Sequence, residues 1–177
     1  MSQIKKSEIL FILNAASGNR KVSGIFKSIK RIDNSLSCII TSSVKQVNRV
    51  FEACMKDYRV FVIVGGDGSV NEAIKYLHNK PDKYLAVYPN GSGNGFAREL
   101  GFRRNIKALL KDIDKGDLME LDTIKINQYW SINTSGLGFD AYIAHAFAKN
   151  LSSILKWLTA FAIFSQKLSP VFEELSG

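Results

Sequence analysis

The residues with the clearest chemical potential lie at 65–69, where the chain reads GGDGS after the apolar run Val60–Val64. Glycines let backbone amides approach a phosphate closely and adopt positive φ without strain. A carboxylate among such amides would repel phosphates unless a cation lies between them, and Mg²⁺ binds through one or two carboxylates together with phosphate oxygens. Asp67 is therefore a candidate catalytic and metal-binding residue, although a turn residue that caps a helix beginning at Val70 is an equal alternative.

Two further polar loops contain glycines: NAASGN at 14–19 and NGSGNG at 90–95. Each loop follows a predicted strand, and Thr41 ends another. Because ligands bind outside the carboxyl ends of strands in an open parallel sheet, these segments are expected to meet at one edge. The helices that follow would add amides and partial positive charge. None of the loops is a GxxxxGK[ST] phosphate loop, and GSGNG lacks the GxGxxG spacing of dinucleotide-binding proteins.

Short apolar strands alternate with amphipathic helices from residue 8 to about residue 116. This alternation predicts an α/β fold, with an open, mostly parallel sheet and helices on both faces. The predicted strands are Glu8–Leu13, Leu36–Thr41, Val60–Val64 and Tyr84–Tyr88, and the predicted helices are Val22–Ile32, 44–58, 70–77, Phe96–Leu100 and 106–113.

The pattern changes near residue 117, where Leu121–Ile126 and Tyr129–Thr134 are typical of a hairpin. We therefore predict a nucleotide-binding α/β domain at 1–118 and the start of a second, β-rich domain at 119–177. The helix predicted at Ser152–Leu168 is apolar on more than one side, so it needs partners that the remaining residues do not supply. The second domain is accordingly expected to be incomplete.

Composition and charge argue against a nucleic-acid-binding, a membrane-spanning and a secreted protein. The chain has 177 residues, of which 46% are hydrophobic, and a net charge of +8. No zinc pattern, RNA-binding aromatic motif or arginine cluster accompanies the charge, so nucleic acid is not an expected partner. The most apolar stretch, Trp157–Phe164, falls short of the ~18 residues of a membrane span, and no signal peptide or transmembrane segment is predicted. Two cysteines in no metal or disulfide spacing favour a cytoplasmic location.

Three segments in order, NAASG, GGDGSVNEAI and PNGSGNGFAREL, resemble the diacylglycerol kinase catalytic-domain family. A later stretch, LDTIKI…INTSGLGFDA, resembles the start of that family's second domain. The family includes bacterial lipid kinases and the sphingosine and ceramide kinases, and it is related to NAD kinases. The resemblance implies phosphoryl transfer from ATP, with Mg²⁺, to the hydroxyl of a lipid such as diacylglycerol or a sphingoid base. It also implies a lipid acceptor reached peripherally at a membrane surface; a homodimer is left open.

The resemblance also implies a role for each matching residue. Asp67 would be essential for phosphoryl transfer through Mg²⁺, Asp122 would join a water-mediated metal network, and Asp140 would face the lipid head group. The nucleotide site would comprise Asn14, Ser17, Gly18, Thr41, Gly65, Gly66, Gly68, Ser69, Ser92 and Asn94, with Asn71 and Glu72 supporting the loop.

The chain departs from the family pattern at three places. Ala15 replaces a usual proline, and Gly95 stands where many bacterial diacylglycerol kinases carry an aspartate of their metal network, as in the sphingosine-kinase type of loop. Family members also continue past the position of Gly177, into a region that holds a proposed general base and a structural metal site. The chain by itself is therefore expected to be weak or inactive as a kinase.

Two other functions fit the same loops. One is a small-molecule kinase similar to NAD kinase, which would need a site for a second nucleotide. The other is a nucleotide-binding module without catalysis, although the presence of Asp67 argues mildly against such a module.

Overall fold

The computed structural model describes residues 4–16 and 21–133. By its contacts the chain divides after Asn133, so all described residues belong to the first of two units. The hairpin expected to open a second domain groups with this first unit, and the domain boundary at residue 118 stays a prediction.

Four parallel strands form the central sheet: β1 (Ile9–Asn14), β2 (Ser37–Thr41), β3 (Val60–Gly65) and β4 (Tyr84–Pro89). Their order is β2-β1-β3-β4. The central strands β1 and β3 are buried along almost their whole length. This burial explains why both sequences are continuous apolar runs rather than alternating patterns. The predicted parallel sheet is confirmed, with small shifts at the strand ends and an unpredicted 3₁₀ helix at Lys6–Glu8.

In the described part of the chain, five α-helices accompany the sheet: α1 (Val22–Ile32), α2 (Val44–Cys54), α3 (Asp67–Leu77), α4 (Gly95–Glu99) and α5 (Ile106–Lys115). Successive strand residues point to opposite faces and divide the core into layers. Phe11 and Val62 pack in the layer that contains α1 and α5, whereas Leu10 and Phe61 pack in the layer that contains α2 and α3. Helices therefore cover both faces, which confirms the predicted architecture.

The strand order creates a crevice between β1 and β3. The connection after β1 leads to β2 on one side, and the connection after β3 leads to β4 on the other. Because such crossovers are almost always right-handed, opposite directions place their helices on opposite faces, and α1 and α3 do lie in different core layers. The segments after β1 and β3 thus diverge, and such a switch point is where open α/β sheets bind ligands.

Helix α3 begins earlier than the sequence indicates. The expected loop at 65–69 is a strand end at Gly65, an extended N-cap at Gly66 and then helix from Asp67. Two other helices begin with side-chain caps: Ser43 accepts the amide of Gln46, and Asn105 accepts the amide of Ala108.

A short antiparallel hairpin follows α5, formed by β5 (Ile124–Ile126) and β6 (Tyr129–Ser131). Asn127 takes the left-handed conformation that a tight turn needs, with φ of 53°. The hairpin contacts α3 and its C-cap: Trp130 stacks on His78 with ring centroids 3.9 Å apart, and the Ile132 amide donates to Asn71 Oδ1 at 3.2 Å. The predicted hairpin is confirmed, with shorter strands.

The two cysteines are free thiols on opposite faces of the sheet, Cys38 on β2 and Cys54 on α2. Burial raises the pKa of both thiols. Both are therefore protonated at neutral pH and lack the thiolate character of reactive cysteines.

The packing of α2 against α3 depends on one aromatic side chain. Phe51 is fully buried and stacks on Tyr76 with centroids 4.8 Å apart, while Phe61 lies at 5.1 Å. We expect Phe51→Ala to lower the free energy of unfolding by about 3–5 kcal/mol, because it removes these contacts and leaves a cavity. Urea denaturation measures the change. Met119→Ala, at a position 68% exposed, is the control and should change it by less than about 0.5 kcal/mol; equal effects would contradict this core.

Candidate functional site

One cleft of about 740 Å³ lies at the carboxyl ends of the strands. Segments that follow all four strands contribute to its walls, and it spans the switch point between β1 and β3. The volume lies within the range of pockets that hold small molecules and cofactors.

The segment after β1 is joined to both of its neighbours. The Ala15 amide donates to the Thr41 carbonyl at 2.7 Å, and the buried Thr41 hydroxyl contacts the Leu13 carbonyl at 3.4 Å. The Ala16 amide donates to Asn14 Oδ1 at 2.9 Å. The other end of the same side chain, Asn14 Nδ2, donates to Ser69 Oγ, also at 2.9 Å. These bonds tie the ends of β1 and β2 to the first turn of α3.

The segments after β3 and β4 touch through two glycines. A Cβ atom built on Gly91 would lie 2.5 Å from the Gly66 Cα, and one built on Gly66 would lie 3.0 Å from the Gly91 Cα. Real side chains do not tolerate such distances without a backbone shift. Glycine at both positions therefore follows from the close approach of two backbones.

Asn94 holds the loop after β4 in shape. Its Oδ1 accepts the Gly91 amide at 2.7 Å, and its Nδ2 donates to the Gly91 carbonyl at 2.6 Å. Asn94 itself adopts φ of 53°, a left-handed conformation that asparagine tolerates better than most residues. The reciprocal pair closes the loop upon itself and sets the start of α4.

Asp67 bridges two segments of the site. Its Oδ2 accepts the Gly95 amide and its Oδ1 accepts the Phe96 amide, both at 3.0 Å. The carboxylate therefore caps α4, not the helix that it begins. The capping role considered for Asp67 from the sequence exists, but it concerns a different helix.

Nearby positive groups partly offset the negative charge of the two acidic residues in the cleft. Asp67 and Glu72 both line it. Lys75 pairs with Glu72 at 2.5 Å, and the amides of α4 partly compensate Asp67. Helices α2 and α3 also begin at the cleft, so their N-termini add partial positive charge. An anionic ligand is therefore less strongly repelled there than two carboxylates alone would imply.

One wall of the cleft is apolar. Ile12 and Ile63 belong to the central strands, and Val44 and Val47 belong to the first turn of α2. The cleft thus combines a polar, amide-rich side with a side suited to a flat apolar group.

The structure brings many of the predicted site residues together. Asn14, Thr41, Gly66, Asp67, Gly68, Ser69, Glu72 and Ser92 line the cleft. Gly65 ends β3 next to it, Asn94 holds the adjacent loop, and Asn71 bonds to the Ile132 amide instead. Asp122 is exposed in the segment before the hairpin and does not line the cleft. Ser17, Gly18 and Asp140 lie outside the described residues.

A family model described as the diacylglycerol kinase catalytic domain matches residues 8–126. The chain belongs to the diacylglycerol kinase catalytic-domain family. The matched range contains every described residue that lines the cleft.

Individual members of this family are similar to the chain. A probable lipid kinase YegS-like protein of Shewanella frigidimarina is 33% identical over 105 residues, covering 57% of this chain and 34% of that protein. A diacylglycerol kinase of Staphylococcus aureus strain JH9 is 26% identical over 157 residues, covering 85% and 49%. A crystal structure of a diacylglycerol kinase from Bacillus anthracis strain Sterne has a TM-score of 0.62 at 25% identity, covering 86% and 53%. The chain thus spans between about a third and about half the length of these relatives.

Several lining residues of this family member were not predicted from its sequence. The pattern places Val44 and Val47 on the core-facing stripe of α2, yet this first turn borders the cleft and Val44 is half exposed. An apolar residue in the first turn of a helix, directly after a strand end, is the signal that could have indicated a ligand wall. The unpredicted lining residues are Ile12, Ser42, Ser43, Val44, Val47 and Ile63. Ala16, Gly91 and Gly93 lie in the loops that were predicted to meet at this edge, although they were not singled out.

The glycine contact generates a stability prediction. We expect Gly91→Ala to lower the free energy of unfolding by about 1–3 kcal/mol, because the new methyl group must push the segment at Gly66 aside. Thermal and urea unfolding measure it. Gly24→Ala on α1 is the matched control: its methyl group meets nothing within 4 Å and should stabilise the helix by up to about 1 kcal/mol. If both variants gained stability, the close approach of the two segments would be wrong.

Proposed function

We propose that the cleft binds ATP with Mg²⁺ and serves the transfer of a phosphoryl group from ATP to a lipid hydroxyl. The observation that carries the proposal is the convergence of Asp67 with glycine-bearing segments at the switch point of the sheet. Family membership and relatives described as lipid and diacylglycerol kinases support the same class of reaction.

The polar side of the cleft suits a chain of phosphates. Phosphoryl transfer depends mainly on positioning and on offsetting charge. The glycines allow the segments after β3 and β4 to lie close to a bound phosphate, and the N-terminus of α3 faces it. The apolar wall of Ile12, Val44 and Val47 would contact the nucleobase.

The residues of the cleft fit Mg²⁺. Among the described residues, no group of three or more histidine, cysteine or acidic side chains forms a protein-only metal cage. Mg²⁺ does not need one, because it usually binds one or two carboxylates and completes its shell with phosphate oxygens and water. Asp67 accepts one amide on each oxygen and keeps further lone pairs, so it would hold the ion. The ion would offset the phosphate charge, while the amides of Gly95 and Phe96 keep the carboxylate oriented.

The proposed acceptor is a lipid that is met at a membrane surface. No helix in the described ranges has the length and hydrophobicity to cross a bilayer. The proposed contact with the membrane is peripheral, with the lipid hydroxyl presented to the cleft, and it is supported by relatives described as lipid and diacylglycerol kinases. The role proposed for Asp140 in facing the head group concerns a residue outside the described part.

The proposed metal role of Asp67 predicts Mg²⁺-dependent binding. Asp67→Asn should weaken ATP binding in Mg²⁺ by at least about tenfold, because the neutral amide loses affinity for the ion and turns one N–H toward an amide donor. Isothermal titration with and without Mg²⁺ measures the effect. Asp117→Asn, at an exposed site away from the cleft, is the matched control and should bind ATP as the original chain does. Binding that ignores both Mg²⁺ and Asp67→Asn would contradict the proposal.

The acceptor is tested with γ-³²P-labelled ATP. Mixed micelles of diacylglycerol, micelles of a sphingoid base, and NAD are supplied in separate reactions with the 177-residue chain. Label in a lipid supports the proposal. Label in NAD alone would replace it with a small-molecule kinase, and Mg²⁺-dependent ATP binding without transfer to any acceptor would replace it with a non-catalytic nucleotide-binding module.

A further inference from the structure

We infer that Asn14 is a positioning residue that directs the Ser69 hydroxyl to donate to a phosphate oxygen in the cleft, an inference that rests on the proposed nucleotide site. Both side chains line the cleft, at the two sides of the crevice between β1 and β3.

The first step concerns the orientation of the Asn14 amide. A backbone N–H can only donate, so the atom that faces the Ala16 amide at 2.9 Å must be the oxygen of the Asn14 side chain. The nitrogen of that side chain is then the atom that faces Ser69. The turn after β1 therefore determines which end of the amide reaches α3.

The second step concerns the polarity of the bond between these residues. Asn14 Nδ2 donates to Ser69 Oγ at 2.9 Å, so the serine oxygen is the acceptor and its own proton points elsewhere. A helical serine often donates to the carbonyl four residues earlier. Here the Gly65 carbonyl accepts the Asn90 amide at 2.8 Å, and within 4–16 and 21–133 no group accepts the Ser69 proton.

The third step concerns the hydrogen-bond donors that Asn14 and Ser69 present to a ligand. Among the described residues, neither the Ser69 proton nor the second N–H of Asn14 has an acceptor, and both residues line the cleft with their heavy atoms 2.9 Å apart. They lie beside the N-terminus of α3, where an anion is favoured. Two adjacent donors match two oxygens of one phosphate group. Because the nucleobase is proposed to contact the apolar wall of the cleft, the pair is expected to contribute to the affinity for phosphates and not to the affinity for the nucleoside.

An aspartate at position 14 would reverse this arrangement. It would still accept the Ala16 amide and preserve the turn. Its other oxygen would accept the Ser69 proton, so the hydroxyl would turn away from the ligand. Asparagine is thus required for the polarity of the bond and not only for the shape of the turn.

The experiment compares ATP with adenosine, both in Mg²⁺, on the 177-residue chain. Titration calorimetry measures ATP affinity, and ligand-observed NMR measures adenosine affinity. Ser69→Ala and Asn14→Asp should each lower ATP affinity by about 10–100-fold, the value of a hydrogen bond to a charged group, with no change for adenosine. Ser69→Thr keeps the hydroxyl and should retain most of the ATP affinity. The double variant should lose less than the product of the two single losses, because Asn14 acts partly through Ser69.

The controls make the same substitutions away from the cleft. Ser28→Ala removes a hydroxyl that donates to the Gly24 carbonyl on α1, and Asn105→Asp changes a side chain that caps α5; both should bind ATP normally. Equal losses for ATP and adenosine would indicate a structural role and overturn the inference, as would full additivity or a Ser69→Ala variant with unchanged ATP affinity. If the unaltered chain bound neither ligand, the proposed nucleotide site would fail as well.

Discussion

The site depends on a place where two peptide backbones meet with only hydrogen atoms between them. Gly65 pairs with Pro89 at the ends of β3 and β4. Just beyond this pair, Gly66 and Gly91 approach so closely that neither has room for a side chain. This approach lets the segment after β4 fold over the start of α3. The bonds from Asp67 to the amides of Gly95 and Phe96 join the same two segments.

Asp67 has a structural role in the site that is compatible with the metal-binding role proposed for it. Its two oxygens accept the amides of Gly95 and Phe96, and these bonds join the start of α3 to the start of α4. A carboxylate held in this way loses little freedom when it meets a cation, because its orientation is already set. Capping and metal binding, which are alternatives when only the sequence is considered, are compatible in the structure.

The parallel sheet was predictable because its signal is local and repeated. Each strand is a short apolar run, and each helix carries a stripe at helical spacing, so the layers follow from residue types alone. The start of α3 was not predictable in the same way. Glycines at 66 and 68 indicate a loop, yet the capping bond from Asp67 to another helix and the contact with Gly91 depend on residues distant in sequence.

The candidate site likewise contains residues that the sequence predicted and residues that only the structure reveals. Most of its polar residues were predicted from loops that follow strands, with Ser42 and Ser43 as exceptions. Its apolar wall was not predicted, since Val44 and Val47 fit a buried helix stripe equally well. Only the position of the α2 N-terminus at the sheet edge distinguishes a ligand wall from a core. The polarity of the Asn14–Ser69 bond likewise needs atomic geometry, because asparagine and serine side chains can each donate or accept.

Helix α3 links the cleft to a part of the molecule that no nucleotide would touch. Asp67 and Ser69 stand at its N-terminus, while Asn71 and, at its C-cap, His78 meet the hairpin that leads out of the first unit. One helix therefore carries a cleft residue at its N-terminus and contacts of the hairpin along the rest of its length. A substitution at Trp130 would remove a contact of the element that positions Asp67, although Trp130 itself does not line the cleft.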